Sequence, residues 1–449
     1  MTANGMTGRG SAAAAVPMRR IAAASFAGTT IEFYDFFIYG TASALVFGPV
    51  FFPALGPAAG TVAAFATFSV AFFFRPVGSI LFGHFGDRLG RKRTLISTLL
   101  VMGLSTFAIG LLPTAASIGV AAPILLVVLR ALQGIAVGGE WAGAALLTTE
   151  FAPAGKRGFY SMFPQLGPAV AFSLSSTTFL VAALAMSPES FAAWGWRVPF
   201  LLSIVLVGVG LYVRLRITET PVFKRALERD QPTKLPVAEA LRHQWRQVLL
   251  AGGALAGVFG FFYTSTVYLT SYGGQAKGVG VLGLSRPTVL TAGIVGGLVF
   301  GAVVVAGAMA SDRFGRRRVV LAGNVLMIMA GPAAFLIMQP GSAVSFVIGL
   351  AVLIGVVGIP YGPAAAYLPE IFLTRYRYTG AGMAYNLAGV LGGATPLLLA
   401  PPLTAAFGGI GMGLFLTGLG VVSTLCVLAL GETKDVLIET GPPPAVATA

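Results

Sequence analysis

The chain has 449 residues, of which 56% are hydrophobic and only 10% are charged, and its formal net charge is +14. Soluble domains carry roughly 25% charged residues, so this composition excludes a water-soluble globule and indicates a membrane protein. The basic residues are divided among several short segments between apolar runs, which disfavours a nucleic-acid-binding domain.

Twelve apolar runs are each long enough to cross about 30 Å of hydrocarbon at about 1.5 Å per residue. We therefore predict an all-α membrane protein of twelve transmembrane helices in two six-helix halves related by pseudo-two-fold symmetry. The predicted helices span residues 21–47, 58–83, 94–113, 120–150, 159–185, 197–217, 247–272, 288–310, 319–338, 343–370, 379–406 and 408–430.

The segments between these runs give the predicted organisation. Residues 1–20 form an N-terminal segment that is retained, because Glu32 and Asp35 in the first run are atypical of a cleaved signal peptide. We predict a first bundle, a polar linker that contains a short amphipathic helix or is solvated throughout, a second bundle and a tail. Their bounds are 21–217, 218–246, 247–430 and 431–449.

Charge placement predicts the orientation, because short cytoplasmic loops accumulate Lys and Arg. If both termini face the cytoplasm, all but five of the 29 Lys and Arg residues lie on the cytoplasmic side. The five exceptions are Arg75, Arg130, Arg197, Lys277 and Arg286. We therefore expect both termini to be cytoplasmic.

A short basic signature occurs twice, at residues 87–93 after the second run and at residues 312–318 after the eighth. A Glu-to-Gly segment also recurs, from Glu150 to Gly158 and from Glu370 to Gly380. Both pairs hold matching places in the two halves, which indicates a tandem duplication of the kind that secondary transporters show.

The repeated signatures predict a cytoplasmic gate. Their glycines allow tight turns, and their acidic and basic residues can form charge-assisted hydrogen bonds between the inner ends of neighbouring helices. The alternative is that these charges only fix the topology. The predicted gate residues are Gly83, Asp87, Arg88, Gly90, Arg91, Glu150, Asp312, Arg313 and Glu370.

Five ionisable residues lie inside apolar runs of the first half, at a cost of about 2.5 kcal/mol or more each without partners. They are Glu32, Asp35, Arg75, Arg130 and Glu140, and we assign all five to proton coupling. Helix geometry places Glu32, Asp35 and Arg130 near the midplane. We expect Asp35 to carry the proton and Arg130 to hold it ionised until they separate; the alternative is a static ion pair. Arg75 is expected nearer the inner side, paired with Glu32 or Glu140 or extended to the cytoplasmic interface.

The second half has no ionisable residue deep in its helices and offers tyrosines and an amide instead. An Arg with neutral donors suits a small hydroxylated carboxylate, although tyrosines in apolar helices also serve as packing residues. The predicted substrate-binding residues are Arg130, Gln133, Gln165, Tyr263, Tyr361, Tyr385 and Asn386. Trp194 and Trp196 are expected to anchor the outer interface.

The spacing of Gly83, Asp87, Arg88, Gly90 and Arg91 resembles the cytoplasmic loop signature of the major facilitator superfamily. More specific segments are similar to the metabolite:proton symporter family within it, and to its shikimate transporter branch. These segments are residues 28–37, 74–78, 82–88, 130–134, 137–141, 194–197 and 375–382.

This resemblance implies import of shikimate, another small organic acid or a dicarboxylate together with a proton. It also implies alternating access, a bacterial inner-membrane location, the proton as coupling ion with no other cofactor, and a functional monomer. A proline or betaine symporter and a proton-driven exporter are the alternatives. An enzyme is disfavoured, because the only histidines, His84 and His243, lie near the cytoplasmic side and no metal-spaced cluster or nucleophile motif occurs.

Overall fold

The computed structural model describes residues 18–89, 91–138, 140–153, 155–216, 236–274, 281–373 and 376–434. These residues are almost entirely helical, and none of them belongs to a strand. The predicted all-α fold class is therefore confirmed. Residues 1–17, 217–235 and 435–449, which hold most of the predicted N-terminal segment, linker and tail, lie outside the described residues.

The first half contains six long helices, which we number in chain order. They are α1 (Met18–Ala42), α2 (Gly56–Leu89), α3 (Arg91–Leu111), α4 in two pieces (Ala121–Val137 and Glu140–Phe151), α5 (Arg157–Ala185) and α6 (Val198–Arg216). α1 packs on α5, α2 on α4, and α3 on α4 and α6.

The second half repeats this arrangement. It contains α7 (Pro236–Tyr263), α8 (Arg286–Phe314), α9 (Arg316–Ile337), α10 (Ala343–Ile371), α11 (Arg377–Ala388 and its continuation) and α12, the last part of Thr395–Ala429. α7 packs on α11 and α12, α8 on α10, and α9 on α10 and α12. Contacts between the halves run mainly from α5 to α8 and α10, and from α2 to α11.

Two glycines with positive φ shape the second half. Gly408 (φ 66°) breaks the helical run Thr395–Ala429 and separates α11 from α12. Gly315 (φ 99°) makes the turn between α8 and α9 inside the second basic signature. Other residue types rarely adopt such φ values, so these two turns require glycine.

Nine helical stretches among the described residues are long and apolar enough to cross a membrane. Gly408 divides one of them into two crossings. Glu32 and Asp35 lower the hydropathy of α1, and α4 is interrupted after Val137. Counting these helices as well, the described part of the chain agrees with the twelve predicted crossings.

The helices of the first and second halves share an irregular feature. A π-helical segment, Ser43–Phe47, continues α1, and a second one, Thr264–Tyr268, continues α7 at the matching place. A third π-helical segment, Gly389–Ala394, lies in α11. Such segments often occur at functional sites, and these three lie around the contact between the halves.

The inner end of α7 bears on the predicted linker. The helix has a non-helical residue at Gln244, so a short helical piece precedes the membrane-crossing part. Leu241 and Trp245 are exposed on either side of this kink. An amphipathic arrangement at this end of the linker is therefore favoured over a solvated coil.

Candidate functional site

The central contact between the halves is aromatic. Tyr263 of α7 lies among three rings of the first half, with ring centroids 5.6 Å from Phe36, 6.0 Å from Phe68 and 4.9 Å from Phe72. These phenylalanines belong to α1 and α2, so a second-half hydroxyl is carried to the place where the ionisable residues of the first half lie. Edge-to-face ring contacts of this kind stabilise the contact beyond the area they bury.

Arg130 of α4 is fully buried inside the first half. Its guanidinium carbon lies 4.2–4.5 Å from the ring centroids of Phe36, Tyr39 and Phe68. Its Nη1 donates to Oε1 of Gln133 at 3.0 Å, and its Nε donates to the Phe68 carbonyl at 3.3 Å. Rings and neutral acceptors thus hold this charge in place.

Asp35 is joined to Arg130 through two neutral side chains. Thr106 Oγ1 donates to Asp35 Oδ2 at 3.0 Å, and Gln133 Nε2 donates to Thr106 Oγ1 at 2.7 Å. Asp35 and Arg130 form no direct ion pair with each other. Among the described residues, Asp35 Oδ1 has no hydrogen-bond partner. The two residues lie in one network as predicted, but the contact is relayed. Sequence reasoning missed Thr106, since a threonine in an apolar helix carries no signal of its own.

Arg75 of α2 lies at the contact between the halves. Its guanidinium carbon is 4.8 Å from the ring centroids of both Phe36 and Phe72, and the group interacts with the Tyr263 hydroxyl. Only 3% of Arg75 is exposed, so the expectation that it extends to the cytoplasmic interface is wrong. Among the described residues, no carboxylate lies within ion-pair distance of Arg75, so the expected pairing with Glu32 or Glu140 is also wrong.

Glu32 and Glu140 themselves are both buried, on α1 and on the second piece of α4. Their predicted part in proton coupling stays a prediction, as does that of the other members of the set.

The predicted amides bridge the halves. Gln165 of α5 accepts a hydrogen bond from Trp141 Nε1 at 3.0 Å and donates to the Tyr361 carbonyl of α10 at 2.9 Å. Asn386 of α11 donates from Nδ2 to the Gly138 carbonyl at 3.3 Å. Both amides therefore line the contact from opposite sides, and their part in substrate binding stays a prediction.

Trp141 belongs to the site, although the sequence analysis did not assign it there. Its ring stacks on Tyr385 with centroids 3.8 Å apart and planes 10° apart, and Tyr385 in turn bonds to Tyr361 through their hydroxyls. Trp141 belongs to the first half and Tyr385 to the second, so this stack joins the two halves beside the cluster of rings around Tyr263.

Two small spaces remain beside the stack. One, with a volume close to 0 Å³, lies among Tyr263, Tyr361, Tyr385 and neighbouring phenylalanines, and one of about 10 Å³ lies among Arg75, Trp141, Asn386 and Tyr385. Tyr385 lines both. Ligand pockets usually measure about 300–1,000 Å³, so the conformation is closed around the site and must open to admit a ligand.

The second copy of the basic signature binds the other half. Asp312 at the end of α8 accepts hydrogen bonds from the backbone N–H groups of Gly158 (2.8 Å) and Phe159 (2.9 Å) at the start of α5. A carboxylate at a helix N-terminus is favoured by the helix dipole. Arg316 holds this carboxylate at 2.9 Å, and its Nε lies 3.4 Å from Glu370.

The structure describes fewer contacts for the other predicted gate residues. Arg313 is exposed beside Phe314, and Glu150 lies at the inner end of α4. Gly90 lies outside the described residues, as do the side-chain surroundings of Gly83, Asp87, Arg88 and Arg91.

The segment after α12 caps the start of α9. Glu432 Oε1 accepts hydrogen bonds from the backbone N–H groups of Arg316 (2.8 Å), Thr433 (2.9 Å) and Lys434 (3.1 Å). Partial burial raises the pKa of the Glu432 carboxyl, but these donors outweigh it and hold the pKa below its usual range. Thr433 also donates to Glu370 at 2.7 Å. The residues after α12 therefore bind directly to the second signature.

The outer side is closed mainly by aromatic groups. The Phe65 and Tyr268 rings meet across the halves with centroids 6.3 Å apart, and Arg286 lies 4.2 Å from the Phe191 ring centroid. Trp194 is half exposed as expected of an interface anchor. Trp196 is fully buried against Phe47, so its expected role as an anchor is wrong.

Comparison with known proteins agrees with this architecture. A family model described as Major Facilitator Superfamily matches residues 25–396. The inner membrane metabolite transport protein YhjE of Escherichia coli (strain K12) is 41% identical over 416 residues, covering 92% of this chain and 94% of YhjE. The shikimate transporter of the same organism is 40% identical over 396 residues, covering 87% and 89%.

A solved structure matches over a similar extent. The xylose transporter XylE from E. coli, in a partially occluded inward open conformation, has a TM-score of 0.70 and 17% sequence identity, covering 94% of this chain and 99% of that one. At this identity the match supports the fold alone.

Proposed function

The chain belongs to the major facilitator superfamily, and from this premise we propose that it is a proton-coupled symporter that imports a small organic acid by alternating access. Shikimate, or a related hydroxylated carboxylate or dicarboxylate, is the substrate class that we propose. That the protein is a multi-pass membrane transporter of metabolites and not an enzyme follows from the family and from the transport proteins among its relatives.

The observation that carries the proton coupling is the relayed contact between Asp35 and Arg130. An ionised carboxylate at the centre of a membrane is costly without hydrogen bonds or a close cation, and Asp35 has only the Thr106 hydrogen bond among the described residues. Asp35 is thus well suited to hold a proton while the site is closed. When the site opens to water, the carboxylate can lose that proton, with Arg130 near enough to favour the charged form.

The closed arrangement on both sides supports alternating access. Asp312 joins the halves at the inner side, and the Phe65 and Tyr268 rings join them at the outer side. The central spaces lie between these two contacts. A carrier that opens one contact at a time exposes the central site to each side in turn.

The substrate class rests on the chemistry of the lining. Tyrosine hydroxyls and the amides of Gln165 and Asn386 offer neutral hydrogen-bond donors, and buried arginines offer positive charge for a carboxylate. The shikimate transporter among the relatives is consistent with such a substrate. We further propose an inner-membrane location with both termini cytoplasmic, a functional monomer, and the bundle and linker bounds given above.

Reconstitution in liposomes that contain a pH-sensitive dye tests this function. We expect an inward gradient of shikimate or a dicarboxylate to acidify the lumen. Asp35→Asn should abolish proton-driven accumulation and still permit substrate exchange, because it removes the titrating group while keeping the Thr106 contact. Glu189→Gln, which neutralises an exposed carboxylate on the outer side, is the matched control and should behave as the wild type.

Three outcomes would contradict the proposal. Accumulation that is unchanged in Asp35→Asn removes Asp35 from the mechanism. Acidification only with betaine or proline replaces the substrate class by zwitterions. Substrate movement against the expected direction under the same proton gradient indicates an exporter.

A further inference from the structure

We propose that Arg75, and not Arg130, binds the carboxylate of the substrate. The sequence assigns substrate binding to Arg130 and proton coupling to Arg75, and the structure favours a different division between the two arginines. This inference rests on the proposed function only in taking the substrate to be a carboxylate, whether the rest of it is a hydroxylated ring or a cationic group.

The first step of the argument is the location of the two guanidinium groups. Arg130 is enclosed by rings of its own half, and its Nε and Nη1 donate to the Phe68 carbonyl and to Gln133, whereas its Nη2 has no hydrogen-bond partner in the described part of the chain. Arg75 lies between the halves, beside Tyr385 and Asn386 of α11. Arg75 lines the space between the halves and Arg130 is not among the residues that line it, so a carboxylate in that space meets Arg75.

The second step is the lack of a counter-ion. Arg75 is 3% exposed, its Nε has no hydrogen-bond partner, and no carboxylate lies within ion-pair distance among the described residues. A buried guanidinium without an anion is costly, and ring faces compensate only part of that cost. A bound carboxylate offers the planar, two-oxygen partner that the guanidinium fork matches.

The third step is the space around the group. The π-helical segment of α11 presents glycines here, and a Cβ atom added to Gly389 would lie 3.8 Å from Arg75 Nη1 and 3.1 Å from the Phe72 ring. A Cβ at Gly393 would lie only 2.6 Å from that ring. The absence of side chains at these positions leaves room for Arg75 to approach α11 and reach the central spaces.

The geometry also indicates how a whole substrate fits. The space beside Arg75 measures only about 10 Å³ and the space beside Tyr361 close to 0 Å³, so neither holds an organic acid in this closed conformation. Tyr385 lines both spaces and separates them. Rotation of the Tyr385 ring off Trp141 would join the two, with the carboxylate at Arg75 and the rest of the molecule against the tyrosine hydroxyls.

The test is equilibrium binding to the purified protein by calorimetry at fixed pH and with no gradient, so that it does not depend on proton coupling. The probes are shikimate, succinate, proline and betaine, each with its methyl ester (the dimethyl ester for succinate), which removes the negative charge and changes the size of the molecule little. We expect the wild type to bind at least one acid about 30-fold or more tightly than its ester, because loss of one partner leaves the other charge buried and unpaired.

Arg75→Gln should lower the ratio of acid affinity to ester affinity to about 1–3. Ester binding should persist, which would show that the site is still folded. Arg75→Lys should give an intermediate ratio, since a lysine keeps the charge and loses the fork. Arg246→Gln, at an exposed position on α7, is the matched control and should keep the wild-type ratio. Arg130→Gln should also keep it, whatever it does to transport.

Several results would overturn the proposal. They are a wild type that binds no acid better than its ester, an Arg75→Gln variant that keeps the ratio, and an Arg75→Gln variant that loses acid and ester alike. If Arg130→Gln loses the preference for acid over ester and Arg75→Gln keeps it, the carboxylate binds at Arg130. Failure of the liposome assay alone would leave this inference standing.

Discussion

Neutralising Asp312 should open the cytoplasmic side. In the closed conformation its two carboxylate oxygens accept the N–H groups of Gly158 and Phe159, and Arg316 lies 2.9 Å away. Asp312→Asn keeps the size of the side chain. Its single carbonyl oxygen can accept one of the two N–H groups, and its NH₂ group then faces the other donor.

The size of the effect follows from these contacts. A hydrogen bond to a charged acceptor contributes about 1.5–3 kcal/mol, and the helix dipole adds about 0.3–1 kcal/mol. The variant loses one such bond and the charge. Because Asp312 is partly exposed and water weakens these interactions, we take the loss of free energy in the closed conformation to be about 2 kcal/mol. This corresponds to about a 30-fold shift towards the conformation that is open at the inner side.

Cysteine labelling measures this shift. Cys426 is the single cysteine, so a Cys426→Ser background is free of thiols. Thr149 is fully buried at the inner side, where it donates to the Ala365 carbonyl of the other half at 3.0 Å, so Thr149→Cys reports separation of the halves. With Asp312→Asn, labelling by a polar maleimide should be about 30-fold faster.

The matched control for this experiment is Glu239→Gln, which neutralises a carboxylate on the same side of the membrane, away from the contact between α5 and α8. A labelling rate for Asp312→Asn within about threefold of the Glu239→Gln rate would refute the assignment of Asp312 to the gate.

Two further predictions concern the same side of the molecule. Gly158→Ala should also speed labelling, because its Cβ would lie 2.6–2.8 Å from α8 atoms; Gly208→Ala, with nothing within 4 Å, should not, and equal rates would contradict the close approach. Glu432→Gln should raise amide exchange at Arg316 about fivefold at pH 7, since a lost helix cap costs about 1 kcal/mol. Because the pKa of Glu432 is lowered in the folded state, the wild-type cap should persist at neutral pH and weaken only when the pH falls below the usual range of a glutamate carboxyl, as the carboxyl becomes protonated. Exchange at pH 7 that is equal in variant and wild type would show that the cap contributes nothing.

The sequence was sufficient for the fold, because hydropathy and charge report directly on which residues face lipid and which face water. Helix ends agree within a few residues where polar loops flank them, as at Arg157 and Ile337. The start of α7 differs more: the helix begins at Pro236, whereas the apolar run begins near residue 247. A short amphipathic piece has no apolar signature of its own, so hydropathy places it in the linker.

The site could be predicted only in part, because the sequence gives the depth of a residue along a helix and not the direction of its side chain. Depth predicted that Asp35 and Arg130 lie at the same level, and the structure connects them only through Thr106 and Gln133, because the rotation of α3 places Thr106 between Asp35 and Gln133. Side-chain direction also explains why Trp196 is not an interface anchor. Its ring turns inward and packs against Phe47.

The same distinction gives the two arginines different parts in coupling. If Asp35 takes the proton and Arg75 takes the substrate carboxylate, each event removes one uncompensated charge from the centre of the membrane. A carrier with the proton but no substrate would close around two uncompensated arginines, Arg75 and Arg130, at a cost of several kcal/mol. A bound carboxylate removes one of these charges, so the protonated carrier closes more readily when the substrate is present. Coupling of this kind requires no direct contact between proton and substrate.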